Sequence, residues 1–266
     1  MLRTARAVYR LVVLILTLIQ AIFGMWLFTR RNGGRLTRRQ RAEQTQRACS
    51  LILSRMPVDV EVHGDPPRQG LLVSNHLSFV DVVLYGAVCP CVFISKIEIV
   101  NWPIFGTAAR MAGTVFVDRS RTAVGSAATG DAETALKEDV CVLLFPEGTS
   151  TDGSTLLPFH SAFYEPAVLA GAEVIAAAVA YPDGPDHVEK DICYAGDDAF
   201  FPCLMRALSI DRIASRVDFS DRHVVYGNRK EAMRMTREEI VEMRRRQREV
   251  AAVIEDLPAE ADPAAV

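Results

Sequence analysis

The chain has 266 residues, of which 50% are hydrophobic and 24% are charged. This composition is too apolar for a disordered chain, and the 16 Gly and 13 Pro exclude collagen-like or low-complexity material. The net charge of -3 hides an asymmetry, because residues 1–47 contain ten Arg and one acidic residue, Glu43. The first 47 residues therefore carry +9, which leaves -12 for the rest of the chain.

The first predicted element is an apolar segment at residues 11–28, which contains no charged side chain. A helix of this length extends about 27 Å, enough to cross the hydrocarbon core of a bilayer. Tyr9 and Trp26 lie near its ends, where interfacial aromatic residues are common. A cleavable signal peptide is the alternative, but seven Arg follow instead of a small-residue cleavage site. The pattern favours an uncleaved membrane segment that either spans the bilayer or lies in its interface.

The Arg-rich segment, residues 30–47, follows this helix and contains seven Arg, more than the three that precede the helix. The positive-inside rule then predicts that the bulk of the chain lies on the cytoplasmic side of the cell membrane. Each Arg beside an anionic leaflet contributes about 1 kcal/mol, so this segment is also expected to bind an anionic membrane. No aromatic residues are interleaved with these arginines, which argues against a nucleic-acid partner. We assign residues 1–57 to a membrane anchor helix plus this juxtamembrane segment.

Six Cys are spread along the chain, and no Cys-x-x-Cys pair or Cys/His cluster occurs among them. That spacing predicts no metal site. A chain of this length buries a sizeable core without disulfides, so we expect reduced thiols in a protein that faces the cytoplasm.

From residue 58 onward, short apolar runs alternate with longer amphipathic stretches. Strands are predicted at residues 58–63, 71–74, 92–95, 114–117, 140–145 and 174–181, and helices near residues 79–88, 102–111, 121–138 and 160–171. This alternation predicts an α/β domain at residues 58–255, with a largely parallel sheet flanked by helices. A last helix is expected to begin at Thr236, with Glu239 in a capping box and residues 244–246 on a solvated face. The Pro- and Ala-rich residues 256–266 are expected to form a disordered tail.

The strongest chemical signal is the sequence NHLSFVD at residues 75–81, directly after a predicted strand. On one continuous helix His76 and Asp81 would lie about 140° apart and could not pair. With His76 in the turn and Asp81 in the first helical turn, the carboxylate reaches the imidazole. It would then fix the tautomer and stabilise the imidazolium, which suits a general base acting on a hydroxyl. A helix-capping histidine beside an acidic first turn is the alternative on spacing alone.

Two further signals lie at the ends of predicted strands. The sequence FPEGTS at residues 145–150 places Glu147 and Thr149 at the carboxyl end of an apolar strand, where ligand crevices of α/β sheets lie. The sequence GTVFVDR at residues 113–119 delivers Arg119 to a loop, where its guanidinium can hold a phosphate. A simple strand-to-loop turn and a surface ion pair between Asp118 and Arg119 are the alternatives.

In this order the three motifs resemble the glycerolipid acyltransferase superfamily, typified by 1-acylglycerol-3-phosphate acyltransferases, over about residues 60–180. The resemblance implies an α/β domain on membrane-associated N-terminal helices. It implies that His76 is the catalytic base and that Asp81 orients it. It also implies a substrate-binding set for the acceptor's polar head, formed by Arg119, Glu147, Gly148, Thr149 and, from the segment between the first two motifs, Lys96.

The activity implied by the resemblance is membrane-bound acyl transfer in phospholipid biosynthesis. A fatty acyl group moves from a thioester donor, acyl-CoA or acyl carrier protein, to the free hydroxyl of the lysolipid 1-acylglycerol-3-phosphate, forming phosphatidic acid. No metal or other cofactor is expected, because an oriented base acting on a hydroxyl is sufficient for this chemistry.

The chain departs from the family pattern in two places. Family members often have Pro-Phe-Lys-x-Gly where residues 158–162 are PFHSA, and a Val-Pro-Val-like strand where residues 174–179 are VIAAAV. His160 in place of the Lys removes a cation from the expected head-group region. O-acylation of lyso-ornithine lipid or another lysolipid is therefore the alternative, and residues 193–202 resemble that branch. A non-enzymatic lipid-binding protein is the third hypothesis, which the His76–Asp81 pair disfavours because binding needs no oriented base.

Overall fold

The computed structural model describes residues 2–117, 126–196 and 198–255. Within these residues, seven strands form one sheet. The strands are β1 (Val58–His63), β2 (Gly70–Ser74), β3 (Cys91–Lys96), β4 (Val115–Val117), β5 (Cys141–Leu144), β6 (Glu173–Ala180) and β7 (Ile213–Val225). All six predicted strands occur, with ends displaced by at most one residue. Arg119 and the predicted tail at residues 256–266 lie outside the described residues.

The strand order across the sheet is β1-β7-β6-β2-β5-β3-β4. The five strands from β6 to β4 run parallel, whereas β7 pairs antiparallel with β6 and parallel with β1. The helices are α1 (Leu2–Arg31), α2 (Arg38–Arg55), α3 (Val80–Val88), α4 (Phe105–Ala112), α5 (Ser126–Lys137), α6 (Glu165–Ala170), α7 (Glu189–Ile192), α8 (Phe200–Ser209) and α9 (Arg229–Glu255). This mostly parallel sheet with flanking helices and an apolar N-terminal helix confirms the predicted fold class.

Apolar side chains cover both faces of the central strands. Leu72 and Leu143 are fully buried in a layer that includes α3. Leu71 and Val142 point into the opposite layer, which includes residues of α5, α6 and α9. Each fully buried Leu or Val contributes about 1.5–3 kcal/mol, so both faces stabilise the sheet. Burial on both faces explains why these strands are nearly continuous apolar runs in the sequence.

Four elements, α2, α7, α8 and β7, are missing from the sequence prediction. In β7, Val217 and Phe219 are buried, whereas Arg216 and Asp218 alternate with them and bond to each other at 3.0 Å. The ion pair lets a strand with charges on one face lie between β1 and β6. The alternation itself was the available signal, since side chains of a strand point to opposite faces in turn.

The prediction for the last helix was wrong in two respects. Helix α9 begins at Arg229, where the Asn228 side chain accepts the Lys230 N–H at 2.8 Å. Thr236 is instead buried within the helix, and its hydroxyl bonds to the Ala232 carbonyl at 2.8 Å. Arg244 is also buried rather than solvated, because α9 packs along β6. At that contact the guanidinium donates to the Val179 carbonyl of β6.

The N-terminal segment forms two helices that contact the body. Helix α1 includes the predicted apolar segment and is, among the described residues, the helix long and apolar enough to cross a membrane. Helix α2 begins after Thr37, which forms a capping box with Gln40. Arg38 forms an ion pair with Asp131, and Arg41 donates to the Met111 carbonyl at 3.0 Å. Part of the Arg-rich segment is therefore engaged with the body of the protein.

Candidate active site

The corner between β2 and α3 brings His76 and Asp81 together. His76 lies two residues after β2, and Asp81 is the second residue of α3. The His76 Nδ1 atom is 2.8 Å from Asp81 Oδ2. Because the turn separates the two residues, the carboxylate reaches back to the imidazole, as it could not on one continuous helix.

The Asp81 carboxylate is fully buried and receives four hydrogen bonds. Its Oδ2 accepts the Leu77 N–H at 2.7 Å and the Ser78 N–H at 2.9 Å, besides the bond from His76. Its Oδ1 accepts the Tyr181 hydroxyl at 2.5 Å. These donors replace the hydrogen bonds to water that a buried carboxylate loses.

The His76 imidazole is held on one face and open at one edge. The Phe145 ring stacks on it, with centroids 4.0 Å apart and planes 12° apart. Asp81 Oδ2 accepts a hydrogen bond from the Nδ1–H group, which leaves Nε2 as the nitrogen that can accept a proton from a substrate. The side chain is 19% exposed, which gives a small molecule access to it. This arrangement can act as a general base.

Glu147 supports the same histidine from the neighbouring strand. Its Oε1 accepts the His76 backbone N–H at 2.9 Å, and its Oε2 accepts the Leu157 N–H at 2.8 Å. Burial raises the pKa of the Glu147 carboxyl group, and the two backbone bonds oppose part of this rise. Each carboxylate oxygen thus accepts a backbone donor, and Glu147 links the His76 turn to the loop at Leu157, a structural role that the sequence analysis did not include.

The carboxyl ends of the parallel strands place His76, Glu147 and Lys96 along one edge of the sheet. In spatial order, β6 is followed by Tyr181, β2 by His76 and β5 by Glu147, whereas β3 ends at Lys96. Val117 of β4 pairs with Lys96, and the chain reaches Arg119 two residues later, outside the described residues.

The remaining predicted residues differ in exposure. Thr149 and Lys96 are exposed, and Gly148 is buried with a φ of 75°, a conformation that favours glycine. The exposed pair can meet a ligand from solvent or from lipid. Among the described residues, no group of three or more His, Cys, Asp or Glu side chains is arranged to hold a metal.

Sequence reasoning missed Tyr181 and the supporting role of Phe145. It also missed the loop after α7, where the Tyr194 N–H bonds to the Leu77 carbonyl at 2.8 Å and the Ser78 hydroxyl donates to the Ile192 carbonyl at 2.8 Å. A tyrosine at the end of an apolar strand was the one available signal, since a buried tyrosine needs a partner for its hydroxyl.

Comparison with known proteins places this geometry in a family. A family model described as Acyltransferase matches residues 59–180. The 1-acyl-sn-glycerol-3-phosphate acyltransferase of Neisseria meningitidis serogroup B is 37% identical over 172 residues, which cover 63% of this chain and 67% of that protein. The lyso-ornithine lipid O-acyltransferase of Rhizobium meliloti is 32% identical over 216 residues, 74% of this chain and 71% of that protein.

Two other similar proteins agree with this assignment. The lyso-ornithine lipid O-acyltransferase of Pseudomonas aeruginosa is 36% identical over 167 residues, which cover 60% of this chain and 62% of that protein. The crystal structure of the 1-acyl-sn-glycerophosphate (LPA) acyltransferase PlsC from Thermotoga maritima has a TM-score of 0.66 and 19% identity, with 97% of each chain covered. The likeness to PlsC concerns the fold. The sequence relatives show that this chain belongs to the glycerolipid acyltransferase family.

Proposed function

We propose that the protein transfers a fatty acyl group from acyl-CoA or acyl carrier protein to the free hydroxyl of 1-acylglycerol-3-phosphate, forming phosphatidic acid. The observation that carries this proposal is the buried Asp81 carboxylate bonded to His76 Nδ1, which leaves Nε2 to act on a substrate. Asp81 and His76 have the roles of the last two members of a Ser-His-Asp triad. The acceptor's hydroxyl takes the place of the serine.

The reaction follows from this geometry. Nε2 of His76 removes the acceptor's hydroxyl proton while the oxygen attacks the thioester carbonyl carbon. Asp81 stabilises the imidazolium that forms. The tetrahedral intermediate then collapses, the carbon–sulfur bond breaks, and the thiolate takes the proton from the imidazolium. The base ends neutral, and the products are an ester and a thiol.

Three residues are proposed to hold the acceptor's head group: Arg119, Lys96 and Thr149. Lys96 and Thr149 are supported by their exposure at the ends of β3 and β5. Two cations suit a phosphomonoester, and holding it would orient the hydroxyl toward His76. Gly148 is proposed to allow the close turn between Glu147 and Thr149, and Glu147 to hold the backbone of the base.

Lyso-ornithine lipid is the second candidate acceptor. Relatives that carry that name are 36% and 32% identical to this chain. His160, which stands where the resemblance leads us to expect a Lys, is exposed and would leave one cation fewer for a phosphate. Which lysolipid is acylated therefore needs a direct measurement.

The deciding experiment is acylation of a lysolipid panel by the purified protein in detergent. The panel contains 1-acylglycerol-3-phosphate and lyso-ornithine lipid, each with acyl-CoA and with acyl carrier protein as donors. The proposal expects phosphatidic acid as the main product and loss of activity in His76→Ala. Faster acylation of lyso-ornithine lipid would favour the second acceptor. Lysolipid binding without acylation by any donor would favour a lipid-binding protein, and undiminished activity of folded His76→Ala would refute the mechanism.

We also propose that α1 contacts the cytoplasmic leaflet of the cell membrane. One face of α1 is attached to the body, where Arg10 donates to the Leu208 carbonyl at 3.0 Å and Arg55 donates to the Thr17 hydroxyl at 3.0 Å. The opposite face exposes apolar side chains at helical spacing, namely Val8, Val12, Leu16, Ile19 and Phe23. A helix fixed to protein on one side and apolar on the other is suited to lie within one leaflet.

The exposed arginines support the same placement. Five arginine side chains in the Arg-rich segment are exposed where they can meet anionic head groups: Arg30, Arg31, Arg35, Arg39 and Arg47. Of these, Arg30 also lies over the Trp26 ring and Arg39 forms an ion pair with Glu43. Phe23→Glu should then reduce binding to vesicles of phosphatidylethanolamine and phosphatidylglycerol. Leu169→Glu is the matched control, because Leu169 is 53% exposed on α6 and Phe23 is 58% exposed on α1. Equal binding of both variants would contradict the proposal.

The cytoplasmic orientation has its own test. A C-terminal green fluorescent protein should fluoresce in a bacterial host, whereas a C-terminal alkaline phosphatase should be inactive there. The opposite pair of results would reverse the orientation expected from the arginines.

A further inference from the structure

We propose that Tyr181 is a positioning residue for acyl transfer, because its hydroxyl holds one oxygen of Asp81 so that the other faces the imidazole of His76. The proposal rests on the function proposed above and extends it to a residue directly after the segment matched by the family model, residues 59–180. Tyr181 does not contact the reacting atoms in this account. It acts through Asp81.

The contact between Tyr181 and Asp81 is short and dry. The hydroxyl oxygen lies 2.5 Å from Asp81 Oδ1, and the two residues are 1% and 0% exposed. Burial raises the pKa of the Tyr181 hydroxyl well above its ordinary value near 10, so the group remains protonated and donates. The other oxygen, Oδ2, receives all three N–H bonds. Without the hydroxyl, Oδ1 would be a charged oxygen left unpaired in an apolar layer.

Two anchors fix the carboxylate's plane. Donors at Oδ2 alone would allow the group to turn about its Cβ–Cγ bond, whereas a second donor at Oδ1 blocks that rotation. The bond from His76 Nδ1 to Oδ2 then keeps its length and direction. Small displacements of a base cost rate because proton transfer requires alignment.

Tyr181 is itself held from α7 and α9. Its backbone N–H donates to Glu189 Oε1 at 3.0 Å, and Glu189 Oε2 lies 2.8 Å from the Arg244 guanidinium. Arg244 also donates to the Val179 carbonyl at 2.9 Å. The buried arginine of the last helix thus fixes the end of β6, from which Tyr181 reaches Asp81.

Tyr85 shows that burial near the site does not by itself produce this contact. It is as buried as Tyr181 and lies in the same apolar layer, but its hydroxyl oxygen is 2.5 Å from Ser74 Oγ. The Asp81 contact is therefore specific to Tyr181 among the described tyrosines.

The test compares Tyr181→Phe with Tyr164→Phe. Tyr164 is the matched control because it is fully buried in the opposite layer, with its hydroxyl 2.9 Å from Thr236 Oγ1. A hydrogen bond to a charged group supports a rate effect of about tenfold to a hundredfold. We expect kcat of Tyr181→Phe to fall by that factor with KM for both substrates changed by less than about twofold, and kcat of Tyr164→Phe to stay near wild type. Normalising kcat to the folded fraction, from near-UV circular dichroism, separates rate from stability.

A double-mutant cycle supplies the second readout. If Tyr181 acts through the Asp81 charge, Tyr181→Phe should cost much less in an Asp81→Asn background than in the wild type. Equal costs in both backgrounds, or a kcat of Tyr181→Phe equal to that of Tyr164→Phe, would overturn the proposal. A wild-type protein that acylates no lysolipid would instead refute the proposed function, so the two failures are distinguishable.

Discussion

Two buried carboxylates hold the same histidine in different ways. Asp81, from α3, bonds to the side-chain Nδ1 of His76, and Glu147, after β5, bonds to its backbone N–H. Asp81 lies beside the imidazole ring, whose charge would change during the reaction. Glu147 lies beside a peptide group whose charge never changes.

This difference predicts different contributions. A carboxylate beside a developing imidazolium lowers the energy of the transition state through its charge. A carboxylate beside two peptide N–H groups fixes the distance between two loops and acts through position. Exchanging each acid for its amide removes the charge with little change in shape, so the pair of variants separates the two effects.

The largest effect is expected for Asp81→Asn. The amide oxygen can keep the three N–H donors that now bond to Oδ2, and the amide nitrogen can donate to the Tyr181 hydroxyl, so the fold should tolerate the change. Opposite charges about 4 Å apart attract by about 4 kcal/mol at an effective dielectric constant of about 20, which is a factor of about 10³ in rate. Steady-state kinetics should show this loss in kcat with the thermal midpoint nearly unchanged. A loss of less than about tenfold would mean that the Asp81 charge is not used.

Glu147→Gln should cost less in rate and more in stability. An amide has one acceptor oxygen, so either the His76 or the Leu157 N–H would face the amide NH2 group, which is also a donor. The unpaired backbone N–H costs about 1–3 kcal/mol. We expect kcat to fall about tenfold as the base loosens, measured together with chemical unfolding. Asp152→Asn is the control, because this partly exposed acid accepts the Ser154 N–H at 3.1 Å in the same region. A Glu147→Gln protein with normal stability would contradict the structural role.

Phe145→Leu should have a smaller effect. It removes the ring stacked 4.0 Å from the imidazole but keeps an apolar side chain there. Ring pairs contribute about 0.5–1.5 kcal/mol, so kcat should fall about two- to tenfold. Phe159→Leu, a buried change in the opposite apolar layer, should leave kcat unchanged and serves as the comparison. If both variants lose the same activity, the stacking on His76 has no special role.

The smallest effect concerns stability against pH. Burial raises the folded-state pKa of Glu147 above the ordinary value, so the folded protein binds this proton more tightly than the unfolded chain does. Stability from this group is therefore fully present below the ordinary glutamate pKa, and it decreases as pH rises through the raised folded value. Chemical unfolding between pH 4 and pH 8 should show the wild type gaining stability relative to Glu147→Gln as pH falls. A difference independent of pH would contradict this expectation.

The sequence was sufficient to locate six of the seven described strands and the His76–Asp81 corner. Strand positions were predictable because fully covered parallel strands are apolar runs, as at Cys141–Leu144. Strand β7 was not, since its Arg216 and Asp218 neutralise each other only once the strand is placed in the sheet. The start of α9 was also missed, because Thr236 and Glu239 have the spacing of a capping box although they lie inside the helix, which begins at Arg229.

What the sequence determined by itself was local: six apolar strands and the helices between them, the apolar segment of α1, and a histidine and an aspartate five residues apart. Tertiary structure alone decided that Glu147 turns to the backbone of His76, that Arg244 is buried, and that Tyr181 meets Asp81 across 100 residues of chain. The physical reason is that a buried polar group must find a partner, and the nearest partner is set by how strands distant in sequence lie side by side in the sheet.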